Sequence, residues 1–178
     1  PLRLSIDVAV QSLLEAGLME ASERFGIVGG SGIVLDVHTG EVLAMASFPF
    51  LDPHRYAQSP EQVRRNRAIG GVYELGSIYK SLTIASGIEA GELRPADRFP
   101  VAQPIRIGSR TVTDSHRMPE PVLDVTAILA HSSNIGTVQI AELIGSRRHK
   151  DFLYKAGLFE RVPINLQGAG SPILPPRT

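Results

Sequence analysis

A helix-rich α/β (α+β) domain with a small, incomplete sheet is the fold class this sequence predicts, on three observations. Apolar residues recur at helical spacing in several stretches, and apolar and polar residues alternate around glycine-containing turns in two others. The composition, 43% hydrophobic and 20% charged over 178 residues, is that of a globular chain able to bury a core.

The elements follow in order. Asp7 can cap a helix carrying the apolar stripe Val10, Leu13, Leu14, Leu18, Ala21 and Phe25. Gly29, Gly30 and Gly32 break that pattern and lead into a strand. Residues 33–37 and 42–46, joined by His38-Thr39-Gly40, predict a β-hairpin with glycine in the left-handed position and Asp36 and Glu41 exposed beside the turn. Residues 48–67 hold three prolines and little periodicity, which predicts a surface excursion. A helix is expected from Ser77 to Ala90, with Leu82, Ala85 and Ile88 inward and Gly91 closing it. Residues 105–113 alternate about a central turn as a second small hairpin. Asp124 caps a helix to Ala130, Ser132-Ser133-Asn134 interrupts it, and residues 135–144 and 150–156 read as helical again. The chain begins at Pro1, and Gly168 to Thr178 is rich in proline and glycine, so the expectation is a piece of a longer protein.

Composition also excludes function classes. Eighteen basic residues balance eighteen acidic ones, which leaves no general attraction to nucleic acid. The one basic run, Arg64-Arg65-Asn66-Arg67, reads as a solvated loop. No apolar stretch approaches the roughly 20 residues of a membrane span. There is no cysteine, hence no disulfide or thiolate metal site, and the five histidines lack metal-binding spacing; no metal and no cofactor are expected. Gly-x-Ser-x-Gly is missing, and Gly29 to Gly32 lacks the lysine and helix of a phosphate loop.

The chemistry concentrates in Ser77-Ile78-Tyr79-Lys80, with Ser132-Ser133-Asn134 placed 55 residues after Ser77. One helical turn separates Ser77 from Lys80, so both are expected on one helix face. A serine hydroxyl is a weak nucleophile until an adjacent base activates it, and a lysine at this spacing supplies that base without histidine. At a helix start, unsatisfied N–H groups and the dipole disfavour an ammonium, and burial acts the same way, so Lys80 is expected to be neutral enough to take a proton. Fifteen serines and three lysines would give only about 0.25 Ser-x-x-Lys pairs by chance, so the motif needs its neighbours to carry weight. His131, beside Ser132, reads as a helix-end residue because Lys80 already fills the base position, and Glu74 reads as a surface carboxylate.

Those neighbours are present. Ser-x-x-Lys followed by Ser-x-Asn resembles the signature of penicillin-binding proteins and serine β-lactamases. Residues 32–47 resemble the D-x-x-T-G-E-I/V-L-A-M hairpin of class B penicillin-binding proteins, and Asn66-Arg67-Ala68 with Glu74-Leu75-Gly76-Ser77 is similar to their N-R-A and E-P-G-S blocks. Asp114-Ser115-His116 and Ser132-Ser133-Asn134-Ile135-Gly136 resemble the S-S-N-V/I-G region of division-type transpeptidases. The resemblance covers nearly the whole chain.

It implies a penicillin-binding protein transpeptidase or serine β-lactamase-like fold over residues 1–178, an incomplete domain lacking its C-terminal strands and ending before the family's Lys-Thr-Gly. It also implies a D,D-transpeptidase in which Ser77 attacks a D-Ala-D-Ala stem peptide and Lys80 is its base. By the same resemblance Ser132 relays protons, and Asn134 and Ser133 bind substrate. The implied partners are peptidoglycan stem peptides, β-lactams and membrane proteins of the division machinery; no nucleic acid is implied. The implied location is the periplasmic face of the bacterial inner membrane, with an N-terminal anchor outside this chain. Leu75 stands where the family has proline, and without Lys-Thr-Gly the piece is expected to be inactive alone. A serine β-lactamase is the alternative, disfavoured by the long hairpin block and by Ser-Ser-Asn in place of Ser-Asp-Asn. A non-catalytic division scaffold is a second, disfavoured because Ser77, Lys80, Ser132 and Asn134 all survive.

Overall fold

The computed structural model describes residues 3–174. They form two compact units: residues up to Val72 together with Val162–Ile173, and Tyr73–Arg161 with Leu174. Among the described residues no helix is long and apolar enough to cross a membrane.

In the first unit, α1 (Val8–Phe25) starts where Asp7 accepts hydrogen bonds from the Ala9 and Val10 amides and stops at left-handed Gly26. It packs on an antiparallel hairpin of β1 (Gly30–Leu35) and β2 (Val42–Phe48). The inward stripe is Val10, Leu14, Leu18 and Ala21, supplemented by Gln11. Leu13 is 75% exposed and Phe25 is exposed too, which corrects the expected stripe. Leu13 falls well round the cylinder from the line through Val10, Leu14 and Leu18, at about 100° per residue, and Phe25 is the last helical residue. Gln11 does what no apolar residue could: its side-chain amide accepts from Met45 N (2.9 Å) and donates to Met45 O (3.0 Å), pairing with the free edge of β2.

Of the glycines expected to lead into a strand, Gly30 and Gly32 lie within it, because β1 already begins at Gly30. A Cβ on Gly32 would stand 2.5 Å from Leu14 Cδ1, so the glycine lets α1 lie close on the sheet. The turn is built by Asp36, whose carboxylate accepts from the His38 and Thr39 amides, and closed by Gly40 at φ +74°. Those two amide bonds, Thr39's foremost, hold the Asp36 carboxyl below its usual range.

The excursion after β2 is more ordered than its prolines suggested. It contains a 3₁₀ segment, Pro53–Gln58, and two single-turn helices, α2 (Glu61–Arg64) and α3 (Arg67–Gly70). The basic run is partly engaged there: Arg65 Nη2 donates to Gly70 O at 2.7 Å, and Arg64 lies over the Tyr56 ring. Val162–Ile173 return to this unit and include the start of the Pro/Gly-rich stretch 168–178, where Gly170 N donates to Ile69 O at 2.7 Å. Residues 175–178 of that stretch, like Pro1, lie outside the described residues.

The second unit is mainly helical. Its elements are α4 (Tyr79–Glu89), α5 (Val125–Ala130), α6 (Asn134–Ile144) and α7 (Ser146–Lys155). Two short ladders accompany them, β3 (Arg98–Pro100) with β6 (Val122–Asp124), and the hairpin β4 (Ile105–Ile107) with β5 (Arg110–Val112). The hairpin was foreseen; the β3–β6 pairing, between strands of three residues, carried no periodic signal. Ile84, Leu93, Val101, Leu123, Ile128 and Ile140 are among the buried residues of one core.

α4 departs from expectation in a way that bears on chemistry. Leu82 and Ala85 are only half-buried and Ile88 is 48% exposed, whereas Lys80, Thr83, Ile84, Ser86 and Gly87 face inward. A Cβ on Gly87 would meet Leu93 and Ile144 at 3.0–3.1 Å, so small and polar residues set how closely α4 approaches its neighbours. That face carries the lysine inside.

Candidate active site

Ser77 does not open α4. It sits in a 3₁₀ turn, Gly76–Ile78, and α-helical residues begin at Tyr79. Gly76 has φ +59°, a conformation costly for a residue with a Cβ, and it turns the chain so that Ser77 is exposed immediately ahead of the helix. Lys80, three residues on, is 8% exposed. The pair is therefore one turn apart, with the hydroxyl outside and the amine inside.

The Lys80 amine is anchored across the unit. Nζ donates to the Ser132 carbonyl at 2.5 Å and to Ser132 Oγ at 2.8 Å. Ser77 takes neither bond. Burial pushes the Lys80 ammonium below its ordinary value, and the Asp114 carboxylate opposes that shift. Its neighbour Tyr79 is pushed upward by burial.

Ser132 is presented by a strained backbone. α5 ends at His131, which is exposed, and Ser132 then adopts φ +54°. A left-handed conformation in a non-glycine residue costs about 1–2 kcal/mol, and it is the bend that aims the Ser132 carbonyl at Lys80 while the chain turns into α6. Ser133 N donates back to Ile128 O at 2.9 Å, tying the bend to α5.

Ser133 was expected to touch substrate. It is 0% exposed: its Oγ accepts from Gly136 N at 3.0 Å and donates to Asp114 Oδ2 at 2.9 Å, so it is the N-cap of α6. That corrects its assignment, because a buried hydroxyl with both partners made has nothing to offer a ligand. Asn134 is half-buried, and its Nδ2 donates to Thr113 O at 2.9 Å. A side-chain amide has two N–H donors and a carbonyl, so a donor and the acceptor stay open for a ligand.

Asp114 is the residue that sequence reading missed. It lay inside a block of resemblance with no role attached, 20 residues before the amide it binds. No local spacing reveals a carboxylate that reaches a helix start from the loop after β5; only the company of the second hairpin and the Ser-Ser-Asn turn does. Gly136 has an equally physical origin. A Cβ there would stand 2.6 Å from Ile128 Cδ1 and Cγ1, so glycine lets α5 and α6 meet behind the turn.

The chain is similar to several known proteins. Residues 30–178 match the penicillin binding protein transpeptidase domain family. The chain is 39% identical over 175 residues to the probable peptidoglycan D,D-transpeptidase FtsI of Caulobacter vibrioides, covering 98% of this chain and 30% of that protein. It is 35% identical to the probable peptidoglycan D,D-transpeptidase PenA of Neisseria gonorrhoeae, covering 96% and 29%, and 33% identical to the peptidoglycan D,D-transpeptidase FtsI of Escherichia coli, covering 98% and 29%. It thus spans less than a third of each relative's length. A crystal structure of a peptidoglycan glycosyltransferase from Burkholderia ambifaria superposes with a TM-score of 0.85 at 28% identity, over 98% of this chain and 51% of that one. By sequence and by fold, the chain belongs to the penicillin-binding protein transpeptidase family.

Proposed function

We propose that this chain carries the nucleophile and base of a peptidoglycan D,D-transpeptidase. The observation that supports it best is the buried Lys80 amine held 2.8 Å from Ser132 Oγ, one turn from an exposed Ser77. A neutral lysine has two N–H donors and one lone pair. With both donors directed at Ser132, the lone pair is left to take the Ser77 hydroxyl proton.

Ser77 Oγ then attacks the carbonyl carbon between the two D-alanines of a stem peptide. The tetrahedral oxyanion is met by the Ser77 amide, a contribution of about 3 kcal/mol per donor in acyl-transfer sites. Collapse breaks the C–N bond, and the departing D-alanine amine takes the Ser132 hydroxyl proton, which Lys80 replaces. An amine from a second strand attacks the Ser77 ester, the acyl C–O bond breaks, and the amine's proton passes through Lys80 to Ser77 Oγ, which completes the cross-link and restores the serine. Asn134 offers its remaining amide donor and carbonyl to the substrate backbone. β-Lactams, as mimics of the same peptide, acylate Ser77. Peptidoglycan chemistry places this work at the periplasmic face of the inner membrane, and the Ser-Ser-Asn-Ile-Gly turn favours a division role with membrane partners of the septal machinery.

The test is a fluorescent penicillin on the full-length protein, with the adduct located by mass spectrometry. An adduct on Ser77, absent in Ser77→Ala and slow to hydrolyse, is the expected result. No adduct, or equal labelling of the variant, ends this reading; rapid turnover of the adduct assigns a β-lactamase instead.

A further inference from the structure

The Ser-Ser-Asn turn is not self-supporting. The first three amides of α6, those of Asn134, Ile135 and Gly136, have no helical carbonyl to pair with. Ser133 Oγ takes the third. Asp114 takes the other two, with Oδ1 accepting from Asn134 N at 2.5 Å and Ile135 N at 3.1 Å, while Oδ2 accepts from Ser133 Oγ. The preceding carbonyl, Thr113 O, receives the Asn134 side chain. Every residue that follows Ser132 in the turn is therefore bound to the two residues 113–114, and Ser132 itself is left to receive Lys80.

We propose that Asp114 is a positioning residue for acyl transfer: by clamping the start of α6 it holds the left-handed Ser132 bend on which the Lys80 amine rests. The inference rests on the transpeptidase reading above and names a part of the machinery outside the Ser-x-x-Lys and Ser-x-Asn motifs.

Two consequences separate this role from simple support of the fold. The first is geometric: a carboxylate is the only side chain here that accepts all three bonds at once, because Asn at 114 would present N–H to one of the donors. The second is electrostatic. Asp114 raises the proton affinity of Lys80 against the effect of burial. Among the other titratable groups on the elements packed against α4 are Tyr79 on α4 itself, His131 at the end of α5 and His149 on α7, whose ring lies 5.9 Å from that of Tyr79, while Arg147, Arg148, Tyr154 and Lys155 of α7 are exposed. Glu89, Glu142, Lys150 and Asp151 of α4, α6 and α7 are exposed to solvent. Loss of the Asp114 charge lets burial act unopposed, so Lys80 gives up its proton at lower pH.

The experiment measures the second-order rate of Ser77 acylation by a fluorescent penicillin in the full-length protein, from pH 5 to 10, for wild type, Asp114→Asn, Asp114→Ala and Ser133→Ala, with melting temperatures recorded alongside. Asp114→Ala is expected to slow acylation on the order of 10²-fold, the usual result of misplacing a catalytic group by an ångström. Asp114→Asn keeps the shape and is expected to lose less rate, with the acid limb of its pH profile moved to lower pH. Ser133→Ala is expected to slow the reaction without moving that limb. If Asp114→Ala does not fold, the limb of Asp114→Asn decides. Wild-type rates in both Asp114 variants, or a rate loss with an unmoved limb in Asp114→Asn, overturn the inference. An unlabelled wild type would instead fail the transpeptidase reading on which it rests.

Discussion

In the proposed reaction Ser77, Lys80 and Ser132 divide the work by exposure: an outward hydroxyl, a buried amine and a half-buried hydroxyl on a strained turn. Replacing Lys80 by arginine keeps a cation at the site and removes the proposed base, since guanidinium does not deprotonate in proteins. Labelling of Ser77 by a penicillin is expected to fall about 10²- to 10⁴-fold, read from the rate of adduct formation. Ser132→Gly separates chemistry from backbone. Glycine relieves the φ +54° strain and adds chain entropy in the unfolded state, two effects of similar size, so stability should stay within about 1 kcal/mol of native in a denaturant titration. The hydroxyl is gone, and acylation should still drop at least tenfold. Spacing alone made Ser77 and Lys80 legible, because i and i+3 are neighbours in any helical turn. Which of them would be buried was not legible. The apolar residues of α4 pointed to Leu82 and Ile88, yet the inward face is the one that carries Lys80, Thr83 and Ser86.

At the scale of elements, α5 and α6 meet at a contact set by a missing methyl group. Gly136→Ala would place a Cβ 2.6 Å from two atoms of Ile128, a residue with no exposed surface, and is expected to cost about 1–3 kcal/mol by thermal or chemical denaturation. Ile128→Ala opens a cavity and is expected to cost about 2–5 kcal/mol alone. The double variant should cost less than the sum, because trimming Ile128 removes the atoms that the new Cβ meets. Caps and turns were the most readable features at this scale. Asp7, Asp124 and Gly40 act within a few residues of themselves and behave as their types dictate, whereas Asp36, expected only as an exposed residue beside the turn, is half-buried and builds it. Contacts over distance were not readable: Gln11 on the edge of β2, the β3–β6 ladder and Asp114 on α6 each join segments far apart in the chain.

For the whole chain, the two units carry separate elements of the family pattern, the hairpin block in one and the Ser77–Lys80–Ser132 group in the other. The second unit includes a half-buried histidine, His149, that links its stability to pH. His149 Nε2 has no hydrogen-bond partner among the described residues, and burial holds the ring's proton affinity below the usual 6.5. The unfolded chain therefore binds a proton that the folded one resists. Stability should be full above pH 6.5 and decline as the pH falls from 6.5 through the lower folded value. Melting temperatures of the full-length protein across pH 5 to 8 should show that slope, and His149→Gln should flatten it. The sequence by itself determined the family, the motif residues, the first hairpin and most helix boundaries, since these depend on residue type at short spacing. Tertiary structure alone decided which face of α4 turns inward, that Ser133 caps a helix instead of meeting substrate, and that Asp114 supports the turn. Those outcomes depend on which distant segments supply hydrogen-bond partners and close packing, and no local pattern along the chain encodes them.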